Sequence, residues 1–167
     1  MLKFNSFPKH SLRGRKAQAH GKEWESIFHL QAVKQGLVCI RINDGCKSTG
    51  YKLIRVRQAF DFILSFDKYP ACFIDTKTVK TTNYSASMVT SHQVADLAKL
   101  EAHGHFAGYL VNFTKTNQIV WFSATQLKQL TEGMSLKPSD GLLLGTEGAF
   151  DLKLLFKLNV TKPQTSP

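Results

Sequence analysis

The sequence predicts a single α/β domain in which a mixed β-sheet is flanked by helices. Three observations lead there. Helical and two-residue apolar periods alternate along the chain in the order α-β-(loop)-β-β-α-β-β-α, a pattern that places helices against a sheet rather than in a bundle. The chain has 167 residues, about one domain's worth, and is long enough to bury roughly two thirds of its unfolded surface. Hydrophobic residues make up 43% and include 12 Phe, which supplies a core and excludes a disordered polar chain.

The elements follow in order. Residues 1–18 are basic, contain Pro8 and Gly14 and lack an apolar period, and are expected to form a flexible arm. From Ala19 to Gln35, Trp24, Ile27, Phe28, Leu30 and Val33 recur at helical spacing, with Gly36 as the stop. Leu37–Ile42 reads as a strand closed by Asn43-Asp44-Gly45. Residues 46–58 are polar and basic and read as a loop with a short extended piece. Ala59–Leu64 and Ala71–Lys77 read as paired strands joined through Asp67-Lys68-Tyr69-Pro70, and Thr78–Ser87 as a polar loop.

Ser91 is placed as the cap of a helix over His92–His103, with Val94, Leu97, Ala98 and Leu100 inward and Gly104 as its end. Phe106–Phe113 and Gln118–Ser123 alternate as a hairpin through Lys115-Thr116-Asn117, and a short helix is expected over Ala124–Leu130. Residues 133–148 are Gly-rich, contain Pro138 and read as a long loop. Phe150–Leu158 is apolar enough for a last helix or strand. The folded domain is expected over 19–158, with a disordered tail over 159–167. No internal repeat is present.

Charge narrows the function. The chain carries 22 Lys+Arg against 12 Asp+Glu, a formal charge of +10. Twelve of those cations but only three acids (Glu23, Glu25, Asp44) fall in residues 1–60. Such one-sided charge repels itself unless a polyanion relieves it, and nucleic acid does so with release of condensed counterions. No basic amphipathic helix with a broad apolar face suggests a membrane surface instead. No apolar run approaches the roughly 20 residues of a membrane span, and no secretory leader is read, so the expected location is the cytoplasm. Cys39, Cys46 and Cys72 form no C-x-x-C pair and fit reduced thiols better than disulfides or a zinc site. The Gly141–Gly145 region lacks Gly-Lys-Ser/Thr, so no nucleotide cofactor is expected.

Phe60-Asp61-Phe62, followed by Ile74-Asp75-Thr76-Lys77, carries the chemistry. Acids on adjacent antiparallel strands can address one space, and alternation places Asp75 and Lys77 on one face. Paired carboxylates are hard oxygen ligands of the kind Mg²⁺ requires, and a neighbouring lysine can orient water or stabilise charge on a phosphoryl group. A surface Asp-x-Lys on an edge strand is the plain alternative. Gly21-Lys22-Glu23-Trp24-Glu25 opens the first helix, where the glutamates either join the same site or complement the helix N-terminus. Ser91-His92-Gln93 begins the helix after Lys77. His103-Gly104-His105 reads as surface histidines at a turn, and Phe106, Tyr109, Phe113, Trp121 and Phe122 as core.

Taken together, Gly-Lys-x-Trp-Glu on helix one, an Asp strand, Asp-x-Lys on the next strand and His-Gln opening a helix resemble RecU-type Holliday-junction resolvases. These belong to the PD-(D/E)xK nuclease superfamily, as do the similar archaeal Hjc-type resolvases. The resemblance spans Gly21 to Leu127. It implies a restriction-endonuclease-like sheet and a site of Glu25, Asp61, Asp75, Lys77 and Gln93. Glu25, Asp61 and Asp75 would hold Mg²⁺, with Mn²⁺ as a substitute. It also implies a homodimer that nicks a four-way DNA junction symmetrically. DNA contacts are expected from Arg13, Arg15, Lys16, Lys22, Arg41, Lys52, Arg55, Arg57 and Lys80. Three departures stand out: Asp75 occupies a position where Glu is usual in RecU proteins, no proline precedes Asp61, and the segment between Arg41 and Asp61 is shorter than the RecU region that forms a stalk. A less selective phage- or restriction-like nuclease of the same superfamily, and a non-catalytic nucleic-acid-binding protein of the same fold, are the alternatives.

Overall fold

The computed structural model describes residues 12–42, 45–48, 53–56 and 58–157. Helix α1 (Leu12–Lys34) leads into β1 (Val38–Arg41). A small ribbon follows, with β2 (Gly45–Ser48) antiparallel to β3 (Leu53–Val56). Strands β4 (Phe62–Ser65) and β5 (Cys72–Val79) come next, then the short β6 (Tyr84–Ser85) and helix α2 (Ser91–Ala102). The hairpin β7 (Phe106–Phe113) and β8 (Gln118–Ser123) leads to α3 (Ala124–Lys128), β9 (Ser135–Leu136), β10 (Leu142–Thr146), β11 (Ala149–Phe150) and α4 (Leu154–Lys157).

Seven strands form the main sheet in the order β1-β4-β5-β7-β8-β10-β11. Its pairs are antiparallel except β5 with β7, which run parallel in register from Cys72↔Phe106 to Val79↔Phe113. A parallel pair needs a crossover, and α2 supplies it. Alternation along the strands then sorts the core into two layers. Trp24, Phe28 and Ala32 of α1, with Leu155 and Phe156 of α4, close one face over Phe62, Leu64, Ile74 and Leu110. Val94 and Leu97 of α2, with Leu127 of α3, close the other over Tyr109, Val111 and Phe122. The five aromatics expected in the core are all buried there.

Several expectations shift. Helix α1 begins at Leu12, seven residues before Ala19, so Arg13, Arg15 and Lys16 lie on it, with only their backbone described. Its buried stripe is Trp24, Phe28 and Ala32, spaced four apart; Leu30 and Val33 point outward at 59% and 56% exposure. The loop expected over 46–58 contains the β2–β3 ribbon. Thr90, not Ser91, is the residue before the first turn of α2, and its side chain makes no capping bond. The short helix α3 ends at Lys128, two residues early, behind a capping box in which Ser123 and Gln126 bond each other's backbone amides. The segment 133–148 is no long loop, because β10 lies in it and continues the main sheet beside β8. Residues 1–11 of the arm expected over 1–18, Lys52, Arg57 and the tail over 159–167 fall outside the described residues, and of Arg55 on β3 only the backbone is described.

Candidate active site

Strand β5 organises the site. Cys72 and Ile74 face the α1 layer, whereas Phe73 and Val79 face the α2 layer, so Asp75 and Lys77 project together toward α2. Asp75 is 1% exposed, and the ammonium of Lys77 forms an ion pair with its Oδ2. From α2, the Gln93 Nε2 donates to Asp75 Oδ1 at 3.1 Å and lies 3.3 Å from the Gln58 carbonyl oxygen. The Lys77 ammonium also reaches Gln93 Oε1 at 3.5 Å. A single amide therefore spans the carboxylate, the lysine and the segment that leads into β4.

Tyr109 completes this cluster and was not among the site residues expected from sequence. Its hydroxyl donates to Gln93 Oε1 at 3.3 Å, and Lys77 Nζ stands 5.0 Å from its ring centroid, in cation–π range. Tyr84 packs edge-on against it at 6.1 Å. The parallel register places Tyr109 beside Asp75, a neighbour relation that no local motif reveals.

Asp61 precedes β4. Its backbone N–H donates to Ile74 O at 2.9 Å, and its carbonyl accepts from Ile42 N at 2.7 Å. Its carboxylate turns to Thr76, whose amide and hydroxyl both donate to Oδ2 at 2.8 and 2.9 Å. It lies close enough to Asp75 to raise that group's pKa. Burial dominates and pushes the Asp75 carboxyl up to about 7, against the opposing pull of Lys77 and Gln93. Burial also pushes the Tyr84 and Tyr109 hydroxyls upward.

Glu25 lies on α1, on the other helical layer, and its carboxylate forms an ion pair with Arg41 of β1. Among the described residues, no group of three or more His, Cys, Asp or Glu side chains is placed to hold a metal ion. The structure thus gathers Asp75, Lys77 and Gln93, sets Asp61 beside them through Thr76, and joins Glu25 to Arg41. A divalent ion fits the Asp61–Asp75 pair on chemical grounds: Asp75 holds a carboxylate in a buried position that disfavours its charge, and both groups are hard oxygen donors. Lys22 and Lys80 are exposed. His103 is exposed with its ring against the Lys99 carbonyl, and His105 packs edge-on to Phe73; the two make no chelating pair. Cys72 is fully buried, and Cys39 is half-buried with its thiol pushed up to about 11.

A mixed sheet with one parallel pair at its centre, helices on both faces and an Asp-x-Lys on one strand of that pair defines the restriction-endonuclease-like class of α/β domain. The model of the recombination protein U family, RecU, matches residues 28–140, and the chain belongs to that family. The match takes in Asp61, Asp75, Lys77 and Gln93. In overall structure the chain is similar to Hjc of Archaeoglobus fulgidus, described as a Holliday junction resolvase from an archaeal hyperthermophile. The TM-score is 0.55 and the identity 16%, covering 74% of this chain and 95% of Hjc. At that identity the likeness concerns the fold. Comparison with curated proteins finds no match. Among the described residues no helix is long and apolar enough to cross a membrane.

Proposed function

We propose that this protein is a structure-selective DNA endonuclease that resolves four-way junctions, acting in the cytoplasm as a homodimer that places paired symmetric nicks. The observation that carries the reading is the buried Asp75 carboxylate, ion-paired to Lys77 two residues along β5 and bridged by Gln93, in a chain of the RecU family. The solved structure it resembles is described as a Holliday junction resolvase, which supports the same substrate. A protein that only bound DNA would gain nothing from burying a carboxylate beneath a phosphate-binding surface.

In this reading Asp61 and Asp75, with Glu25 as a third candidate, hold Mg²⁺ or Mn²⁺. That ion, when bound, supplies Lewis-acid polarisation of the phosphoryl oxygens. The chain's own residues do the rest. Thr76 fixes the Asp61 carboxylate by two hydrogen bonds. Gln93 sets the orientation of Asp75 and restrains Lys77. The Lys77 ammonium orients the attacking water or stabilises charge growing on the phosphoryl group. Lysines and arginines around the face contact phosphates without reading sequence.

The test incubates the protein with an end-labelled four-way junction, a linear duplex and a single strand, in Mg²⁺ and in EDTA, beside Lys77→Ala and Asp75→Asn. Symmetric nicks in the junction alone, lost in EDTA and in either variant, are expected. Equal cutting of all three substrates would leave a less selective nuclease. No cutting, with tight salt-sensitive binding, would replace the reading with a non-catalytic DNA-binding protein.

A further inference from the structure

Beyond Lys77 the same face runs on to the end of β5 and into an open groove. The chain passes Lys80 and turns into β6, where Tyr84 pairs with Leu136 of β9. Asn83, just before β6, donates from its Nδ2 to the Ser135 hydroxyl at 3.0 Å, and Lys137 follows directly on β9. The tip of the β7–β8 hairpin lies alongside. Between these pieces a groove of about 410 Å³ opens, lined by Thr82, Asn83, Thr116, Gln118 and the run Lys137-Pro138-Ser139.

Its chemistry is one-sided. The lining offers hydroxyls, side-chain amides, one ammonium and the Pro138 ring, with no carboxylate and no aromatic ring. Asp140 lies next in the chain, its Oδ2 accepting from the Lys137 backbone amide at 2.7 Å and its Oδ1 from the Ser139 hydroxyl at 3.4 Å. Lys137 makes no ion pair among the described residues. Lys80 and Lys115, both exposed, flank the groove in the chain. Donors of this kind suit phosphate oxygens and carry no sequence preference. A nucleobase would need a stacking surface, and the lining has no aromatic ring to provide one; Pro138 is its only wholly apolar side chain.

A line of packed side chains joins the groove to the catalytic cluster. Lys77 stands over Tyr109, Tyr109 packs on Tyr84, and Tyr84 adjoins Asn83 at the groove wall. At about 3.3 Å per strand residue, Lys80 is roughly 10 Å past Lys77.

We propose that this groove binds the sugar–phosphate backbone of the DNA arm running on from the catalytic face, with Lys137 as its ionic contact. The choice of DNA as the occupant rests on the function proposed above, but the test reads binding and not cleavage. Full-length protein in EDTA is titrated against a fluorescent four-way junction and a fluorescent duplex across a range of salt concentrations. Lys137→Ala and Ser139→Asp are compared with Lys157→Ala, a charge removed from α4 on the opposite layer. Loss of one phosphate contact is expected to lower the slope of log K against log salt by about 0.9 in Lys137→Ala. Ser139→Asp weakens binding with every lysine intact, and Lys157→Ala leaves the slope as it was. Variants of the groove that bind like Lys157→Ala would overturn the proposal, as would a wild-type chain that binds neither DNA. Normal binding by wild type without any cleavage would instead remove the nuclease reading and leave the groove standing.

Discussion

Asp75→Asn should make the metal-free protein more stable at neutral pH, although it removes half of an ion pair. The Asp75 carboxyl is raised from 3.8 to about 7 in the folded chain, chiefly by burial. A group whose folded pKa is raised contributes stability that is fully present below its unfolded value and is lost as pH climbs through the folded one. The window therefore runs from about pH 4 to pH 7. Three pKa units correspond to about 4 kcal/mol, and at 1% exposure the carboxylate gains little relief from solvent. Asparagine keeps the shape of the protonated acid and does not titrate. The two proteins should melt within about 2–4 °C of each other at pH 4.5, and the variant should melt roughly 10 °C higher at pH 8, at 2–4 °C per kcal/mol for a chain of this size. Circular dichroism melts in EDTA across pH measure the difference directly. Curves that stay parallel from pH 4.5 to 8 would refute the argument, because they would show that Asp75 does not carry the cost of burial. Added Mg²⁺ should raise the melting point of wild type at pH 8 and not that of the variant.

Three further outcomes follow from the same contacts. Gln93→Leu removes the hydrogen bond that draws the Asp75 pKa down; cleavage should fall about 10–100-fold, and the acid limb of the rate–pH profile should move to higher pH in single-turnover assays. Tyr109→Phe deletes the donor to Gln93 but keeps the ring under Lys77. It should cost about 1 kcal/mol in urea unfolding and slow cleavage by less than Gln93→Leu does. Gly108→Ala would place a Cβ 2.1 Å from the Phe122 carbonyl oxygen on the neighbouring strand; a loss of about 3 kcal/mol in urea unfolding is expected, and a loss under 0.5 kcal/mol would show that β8 yields freely.

Local patterns made much of this molecule legible. The β7–β8 hairpin falls on the boundaries that alternation gives, Phe106–Phe113 and Gln118–Ser123, because one face of each strand lies in each core layer. The spacing of Asp75 and Lys77 forecast their shared face for the same reason. Strand β10 was illegible: glycine and proline around Leu142-Leu143-Leu144 resemble a loop, and only pairing with β8 makes a strand of them. The first turns of α1 were illegible because their polar residues show no apolar stripe. Tyr109 reads as a core aromatic from sequence. Its role appears only when the parallel register sets it beside Asp75 and beneath Lys77. Contacts made across strands leave no trace in the spacing of a single strand.

The hydrogen bond from Ile42 N to Asp61 O ties together the two ends of the segment that contains the β2–β3 ribbon. Whatever lies between those residues hangs from a closed base, while Asp61 stays fixed from the other side by Ile74. Lengthening such an insert costs only loop-closure entropy, about 0.6 kcal/mol for each doubling. The ribbon can therefore grow, shrink or be exchanged over evolutionary time without transmitting a displacement to the carboxylates. The insert and the carboxylate site are thereby separately adjustable parts of one small chain.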